Sequence, residues 1–99
     1  MAKRIQDARQ AAEIVAIQAL SFIAGDPERL GLFLAETGIG PETLRQSAAD
    51  PQFLTSVLGF IMRDDSMVRT FASSVQLDPT NVAAALQVLE DKPWERDIP

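Results

Sequence analysis

Four dipeptides that typically start helices constrain the fold of this chain more than any other feature. They are Asp26-Pro27, Gly40-Pro41, Asp50-Pro51 and Asp78-Pro79. An aspartate before the first turn accepts hydrogen bonds from backbone N–H groups that lack a partner in the helix. Proline is tolerated at the next position, because the N–H that it lacks would be unpaired there. Asp64 is placed to cap one further helix.

These starts, together with apolar residues spaced three and four apart, predict an all-α protein. We expect six short helices, near residues 8–24, 27–37, 41–49, 51–63, 65–75 and 79–90. Gly38 is placed to end the second helix, because glycine readily adopts the left-handed conformation that follows many helices. No useful length of the chain alternates apolar and polar residues with the period of two that indicates a strand.

The chain also contains an internal repeat. A shift of thirty-eight residues without a gap places Asp26 on Asp64 and Pro41 on Pro79, and it aligns the apolar residues at 19–23 with those at 57–61. A repeat of this length indicates a duplicated structural unit. We therefore expect one helical domain over residues 1–90, a compact bundle of two pseudo-symmetric three-helix units at about 8–49 and 50–90. An irregular C-terminal tail at 91–99 follows it.

The composition restricts the chemistry. The chain has 99 residues, of which 46% are apolar, so it can bury a hydrophobic core without disulfides or a structural metal. It contains no Cys, His or Tyr. Because His and Cys are the side chains most often recruited for catalysis and metal binding, we expect a protein that is not an enzyme and has no cofactor and no metal site.

Charge and hydropathy restrict the partners and the location. The net charge is -5, which disfavours nucleic acid and anionic membranes, since both attract surfaces rich in Lys and Arg. The apolar run at 11–24 is interrupted by Glu13 and Gln18, and it is too short for a membrane span. It is also not followed by a signal-peptide cleavage site. We therefore expect a cytoplasmic protein without a membrane partner.

Two motifs have a functional and a structural interpretation. Asp64 and Asp65 form an acidic pair, but neighbouring side chains on a helix diverge and Asp64 is expected to cap it, so we interpret the pair as structural. Residues 34–46 resemble a helix-turn-helix. Its second helix is expected to expose Glu42 beside Arg45 and Gln46. Helices that read DNA are generally accompanied by Lys and Arg side chains that contact the phosphates. A DNA-associated regulator using Arg45 and Gln46 is therefore the alternative hypothesis.

Several segments of the chain share a pattern with known sequences. They are residues 19–30, Phe33-Leu34, Gly38-Ile39-Gly40-Pro41, Leu44-Arg45, Asp50-Pro51-Gln52-Phe53-Leu54, Val57-Leu58 and Phe60-Ile61. Over residues 10–88 the chain resembles a family of small helical bacterial proteins that is catalogued only as a domain of unknown function. In that family an acidic residue is common where this chain has Gly59. The resemblance implies an all-helical fold and assigns no activity and no functional residue.

The two units differ on the outer face of their first helices. Ile14 and Ile17 fall in the polar half of helix one, where the second unit has Gln52 and Thr55. Leu32 likewise lies outside the apolar stripe of helix two, and its counterpart is Thr70. Together these differences make three apolar positions of the first unit candidates for a role other than folding.

We interpret Ile14, Ile17 and Leu32 as a partner-binding face, because exposed apolar patches mark protein contacts. Trp94 is a further candidate, since aromatic residues are often binding hot spots. The predicted function is a non-catalytic protein–protein interaction module whose partner is not identified, with a homodimer through helix one as one form of it. The competing interpretation buries helix one nearly all round, with the tail or Trp94 folded back over the isoleucines.

Overall fold

The computed structural model describes the backbone of residues 2–90, and the side chains in this range except those of residues 2–6, 41 and 45. It contains the helices α1 (Ala2–Ala24), α2 (Pro27–Thr37), α3 (Pro41–Ser47), α4 (Pro51–Met62), α5 (Asp65–Ser74) and α6 (Pro79–Glu90). No strand occurs within residues 2–90. The predicted all-α fold is therefore confirmed.

The largest difference from the predicted boundaries is at the start of α1. The prediction began this helix near residue 8, and the structure begins it at Ala2. The additional turns contain Ala, Lys, Arg and Gln, which are strong helix formers, and they contain neither glycine nor proline. The predicted start was therefore several residues too late, because no capping dipeptide marks the beginning of this helix. The helices α3, α4 and α5 end one or two residues earlier than expected.

The predicted helix caps are confirmed. The carboxylates of Asp26, Asp50, Asp64 and Asp78 each accept a hydrogen bond from the backbone N–H two residues ahead, at 3.2, 3.0, 2.8 and 2.9 Å. Gly38 follows α2 with a φ of 73°, and its N–H donates to the carbonyl of Leu34 at 2.9 Å. This left-handed glycine ends α2 where the sequence predicted.

The hydrophobic core lies between α1, α4 and α6, which all pack against one another. Helix α2 packs on α1, and α5 packs on α4 and α6. The core face of α1 consists of Ala12, Ala16, Ala19 and Ile23, so small side chains predominate where this helix meets its neighbours. Helix α4 supplies larger groups, namely Phe53, Leu54, Val57, Leu58, Phe60 and Ile61. Among the residues that the structure describes, no polar or charged side chain is buried.

Aromatic contacts join the outer helices to this core. Phe33 is the buried residue of α2, and its ring meets those of Phe53 and Phe60 edge-on, with centroids 5.8 and 5.3 Å apart. Phe22 of α1 contacts Phe71 of α5 at 5.4 Å. The division into two pseudo-symmetric units and the extent of the domain stay predictions. The tail at 91–99 lies outside the described residues.

Candidate functional site

The outer face of α1 carries two exposed isoleucines. Ile14 is 53% exposed and Ile17 is 47% exposed, whereas Ala12, Ala16 and Ala19 on the same helix are buried. A spacing of three residues places the two isoleucines one above the other on the helix surface. The core residues follow one another at three and four positions around the opposite side. The isoleucines therefore face away from the core, as the sequence predicted.

Leu32 occupies a comparable position on α2. It is 56% exposed, and the neighbouring Phe33 is fully buried. These three residues are the large hydrophobic side chains that the described part of the chain leaves exposed. Within the described residues, α1 is therefore not buried all round; the part of the competing interpretation in which the tail or Trp94 covers Ile14 and Ile17 lies outside the described residues. Trp94, the fourth predicted site residue, lies outside the described residues.

The positions offset by thirty-eight residues show that this fold accepts polar side chains there. Gln52 and Thr70 are exposed, and Thr55 is half-buried. The hydroxyls of Thr55 and Thr70 each donate to the carbonyl four residues earlier in their own helix, at 2.9 Å in both cases. These polar groups need no tertiary partner. At these three sequence-matched positions, exposed or half-buried polar side chains are therefore compatible with the fold.

Polar groups surround the two isoleucines along α1. Gln10, Gln18 and Ser21 are exposed and carry no charge. Arg9 and Glu13 form an ion pair at 3.8 Å on the adjoining surface, so their charges largely offset each other. The exposed Asp7 lies about two turns before Ile14 on this side of α1. An apolar centre with a polar border is typical of a protein-binding surface, where charged residues are depleted at the centre. We call the exposed residues Ile14 and Ile17 of α1 and Leu32 of α2, with this border, the helix-one face, a name that groups them by their exposure and not by contact.

Arg29 fixes α2, and with it Leu32, relative to α1. Its guanidinium lies 4.0 Å from the centroid of the Phe22 ring and donates to the Phe22 carbonyl at 3.4 Å. The same group pairs with Asp26 at 3.7 Å. Phe22 belongs to the last turn of α1, where backbone carbonyls lack partners and a positive charge is stabilising. The connection between the two helices is therefore held by a stacked, hydrogen-bonded cation.

A second surface feature is an apolar groove of about 290 Å³ between α1 and α6, which we call the α1/α6 groove. Its lining residues are Ala8, Ala11, Ala12, Val15, Leu77, Asn81, Ala84, Ala85 and Val88. This groove was not predicted from the sequence. The alanine-rich surfaces of the two helices are the available signal, because methyl groups leave space where longer side chains would fill it.

A polar groove of about 420 Å³ separates the end of α2 from the start of α4. It is lined by Glu36, Thr37, Ile39, Ser47, Asp50, Gln52, Phe53 and Ser56. Glu36 pairs with Arg63 at the end of α4, Asp50 caps α4, and the hydroxyls of Thr37 and Ser56 donate to carbonyls of their own helices. Glu36, Asp50, Thr37 and Ser56 therefore each have a partner whose role is structural.

The acidic pair at the start of α5 also has structural partners. Asp64 accepts hydrogen bonds from the backbone N–H groups of Ser66 and Met67, at 2.8 and 3.4 Å. Asp65 is strongly exposed and lies 3.9 Å from Arg69, one turn further along α5. The capping role predicted for Asp64 is confirmed. Among the described residues, His, Cys, Asp and Glu form no group of three or more that could hold a metal ion.

The helix-turn-helix-like segment corresponds to α2, the turn at 38–40 and α3. Helix α3 has seven residues, and Glu42 and Gln46 are exposed on it. The side chain of Arg45 lies outside the described residues, so the charge of this surface stays a sequence-based prediction. Within residues 2–90, every helix falls short of the length and apolar character that crossing a bilayer requires.

Asp78 is the acid whose environment clearly changes its pKa. The backbone N–H of Thr80 donates to its carboxylate at 2.9 Å, and the Thr80 hydroxyl donates at 2.7 Å. Both bonds favour the ionised form and lower the pKa of Asp78 below its usual 3.8. Because Asp78 directly precedes α6, this lowered pKa results from its capping of the helix.

Comparison with known proteins identifies a family and no activity. A family model described as "Protein of unknown function (DUF3572)" matches residues 9–92. No curated protein matches the chain, and no solved structure matches it.

Proposed function

Because the chain belongs to this family, whose function is unknown, we propose a function from the surface of the molecule itself. The protein is a non-catalytic protein–protein interaction module that binds its partner through the helix-one face. The observation that carries this proposal is the exposure of Ile14, Ile17 and Leu32, the large apolar side chains that the described structure leaves in water. Apolar groups grouped at a surface are the usual mark of a protein contact.

The energetics indicate how large the contact must be. Full burial of an Ile or Leu side chain stabilises by about 1.5–3 kcal/mol, so covering the exposed half of each of these three contributes roughly 1 kcal/mol. Their sum of about 3 kcal/mol is below the free energy of even a millimolar complex, which is about 4 kcal/mol. The interface must therefore include further contacts, and the exposed polar border at Gln10, Gln18 and Ser21 is the surface that adjoins the isoleucines.

A second copy of the chain is one partner that this face fits. In a twofold contact, Ile14 and Ile17 of one protomer would pack against the same residues of the other, since the patch on both sides is identical. Sedimentation of the purified protein over a range of concentrations tests this form. A mass that rises toward the dimer with concentration supports self-association, and a constant monomer mass restricts the proposal to another protein.

The experiment that tests the proposal is capture of partners from the lysate of the source cells by the tagged protein and two variants. Ile14→Asp with Ile17→Asp places two charges in the face. Gln52→Asp with Thr70→Asp makes the same change of charge at two exposed positions of the second unit. We expect the first variant to lose the partner and the second to keep it, with unchanged helical circular dichroism in both.

Three outcomes would contradict the proposal or favour the alternative. Unfolding of the Ile14→Asp, Ile17→Asp variant would mean that the isoleucines serve the core. Equal capture by both variants would place the contact elsewhere. Capture that nuclease treatment abolishes would favour the DNA-associated regulator using Arg45 and Gln46, which the same experiment therefore separates from the proposed module.

A further inference from the structure

We propose that the α1/α6 groove binds the chain's own segment 92–96, with the side chain of Trp94 as its anchor. The groove remains apolar on both walls: Ala8 and Ala11 of α1 and Ala84 of α6 are exposed, and Val15 and Val88 extend the lining. An aromatic side chain buries more apolar area than any other residue type. The walls carry methyl groups at Ala11, Ala12, Ala84 and Ala85, beside the polar Asn81, so a bulky ring can enter between them.

The position of the groove favours this occupant. Val88 lines the groove and lies two residues before Glu90, where α6 ends. The middle of the groove, at Ala84, is six residues back from Glu90, which corresponds to about 9 Å along the helix axis. Trp94 follows Glu90 by four residues, and four extended residues span up to about 13 Å. The segment is therefore long enough to reverse direction and reach the groove.

The charges of the segment and of the groove ends are complementary. Lys92 and Arg96 flank Trp94 in the sequence. At the groove, the exposed Asp7 precedes Ala8, and the exposed Asp78 follows Leu77. The segment thus carries two cations and one carboxylate, Glu95, and it meets a groove whose lining residues Ala8 and Leu77 are each next in sequence to an exposed carboxylate. Opposite charges at the border fix the register of such a contact more than its strength.

Trp94 is the single tryptophan of the chain, and there is no tyrosine, so its fluorescence reports directly on its surroundings. We expect the full-length protein to emit at shorter wavelength than a synthetic peptide of residues 91–99 and to be quenched less by acrylamide. An emission maximum and a quenching constant equal to those of the peptide would overturn the proposal.

Two groove variants and one matched control locate the site. Ala84→Asp and Ala11→Asp place a charge on opposite walls, and each should shift the emission toward that of the peptide, because burying an unpaired charge beside the ring is unfavourable. Ala83→Asp makes the same change at the adjoining exposed position of α6, outside the groove, and should leave the emission unchanged. Equal shifts in all three, or a shift only in the Ile14→Asp, Ile17→Asp variant, would overturn the proposal.

Two further measurements keep the test independent of the folding of the variants. In the unaltered protein with labelled alanine methyl groups, nuclear Overhauser contacts should join the Trp94 indole to the methyls of Ala11 and Ala84, and their absence would contradict the proposal. The emission should not change on dilution. A shift toward the peptide spectrum at low concentration would instead assign the groove to the tail of a second copy.

Discussion

Phe33 and Leu32 are neighbours on α2 that lie in opposite environments, and truncating each to alanine separates the core from the helix-one face. Phe33 is fully buried and meets Phe53 and Phe60 edge-on. Replacing a buried Phe with Ala costs about 3–5 kcal/mol, which includes the cavity that is left. Each aromatic pair contributes about 0.5–1.5 kcal/mol beyond area burial, so Phe33→Ala should fall in the upper half of this range.

Leu32→Ala should cost far less. Because Leu32 is 56% exposed, less than half of its side chain is removed from water by folding. Full burial of a leucine contributes about 1.5–3 kcal/mol, so the loss should be roughly 1 kcal/mol or less. Leu→Ala removes fewer carbon atoms than Phe→Ala, but the expected difference in cost is larger than this difference in size accounts for, so it mainly reflects burial.

Urea unfolding, followed by far-ultraviolet circular dichroism, checks both values. The comparison holds when the slope of the unfolding free energy against urea concentration is the same in the variants and the unaltered protein. For a domain of this size, a loss near 4 kcal/mol corresponds to a fall in Tm of roughly 15–30 °C. Equal losses for Phe33→Ala and Leu32→Ala would refute the reasoning, because Leu32 would then support the fold and would be no candidate for partner binding.

Three further substitutions and one titration test the helix ends. Asp64→Ala should lower the free energy of unfolding by about 1 kcal/mol, because two backbone N–H groups lose their acceptor; no loss in urea unfolding would contradict the cap. Gly38→Ala should lower it by about 1–2 kcal/mol, since φ is 73° there. Gly31→Ala, inside α2 with open space around it, should raise it by about 0.5–1 kcal/mol, and the opposite order of the two glycine variants would refute the account. In a nuclear magnetic resonance titration, Asp78 should ionise with a pKa below 3.8. Its ionised form should stabilise the fold fully above 3.8, and this contribution should be lost as the pH falls through the lowered pKa; an unshifted titration would contradict the hydrogen bonds from Thr80.

The helix starts could be predicted from the sequence because capping is local. Asp26 and Asp64, for example, form hydrogen bonds with residues two or three positions ahead, so the whole interaction lies within one short segment. The position of Ile14 and Ile17 on the side of α1 opposite Ala12, Ala16 and Ala19 was also predictable from the period of the helix, whereas the sequence left open whether the tail covers them. Gln52 and Thr55, which the shift of thirty-eight residues aligns with Ile14 and Ile17, then indicated that apolar side chains are unusual at these positions.

The α1/α6 groove was not predictable in this way. It exists because Ala11 and Ala84 stand on helices that are distant in sequence, and its width depends on how far apart those helices pack. Interhelical distance follows from the side chains at the contact as a set, which no single segment specifies. The early start of α1 was missed for a different reason, since the sequence before residue 8 contains no Asp-Pro or Gly-Pro dipeptide of the kind that marks other helix starts in this chain.

Site-specific crosslinking in cells tests the central claim most directly. A photoreactive amino acid placed at Ile14 or Ile17 should form adducts with a protein upon illumination, because these positions are exposed and face away from the core. The same group placed at Gln52 or Thr70, exposed positions of the second unit, should form none. Adducts at Ile14 and Ile17 alone are the result that the helix-one face predicts. Absence of adducts at these two positions, or equal adducts at all four, would contradict it.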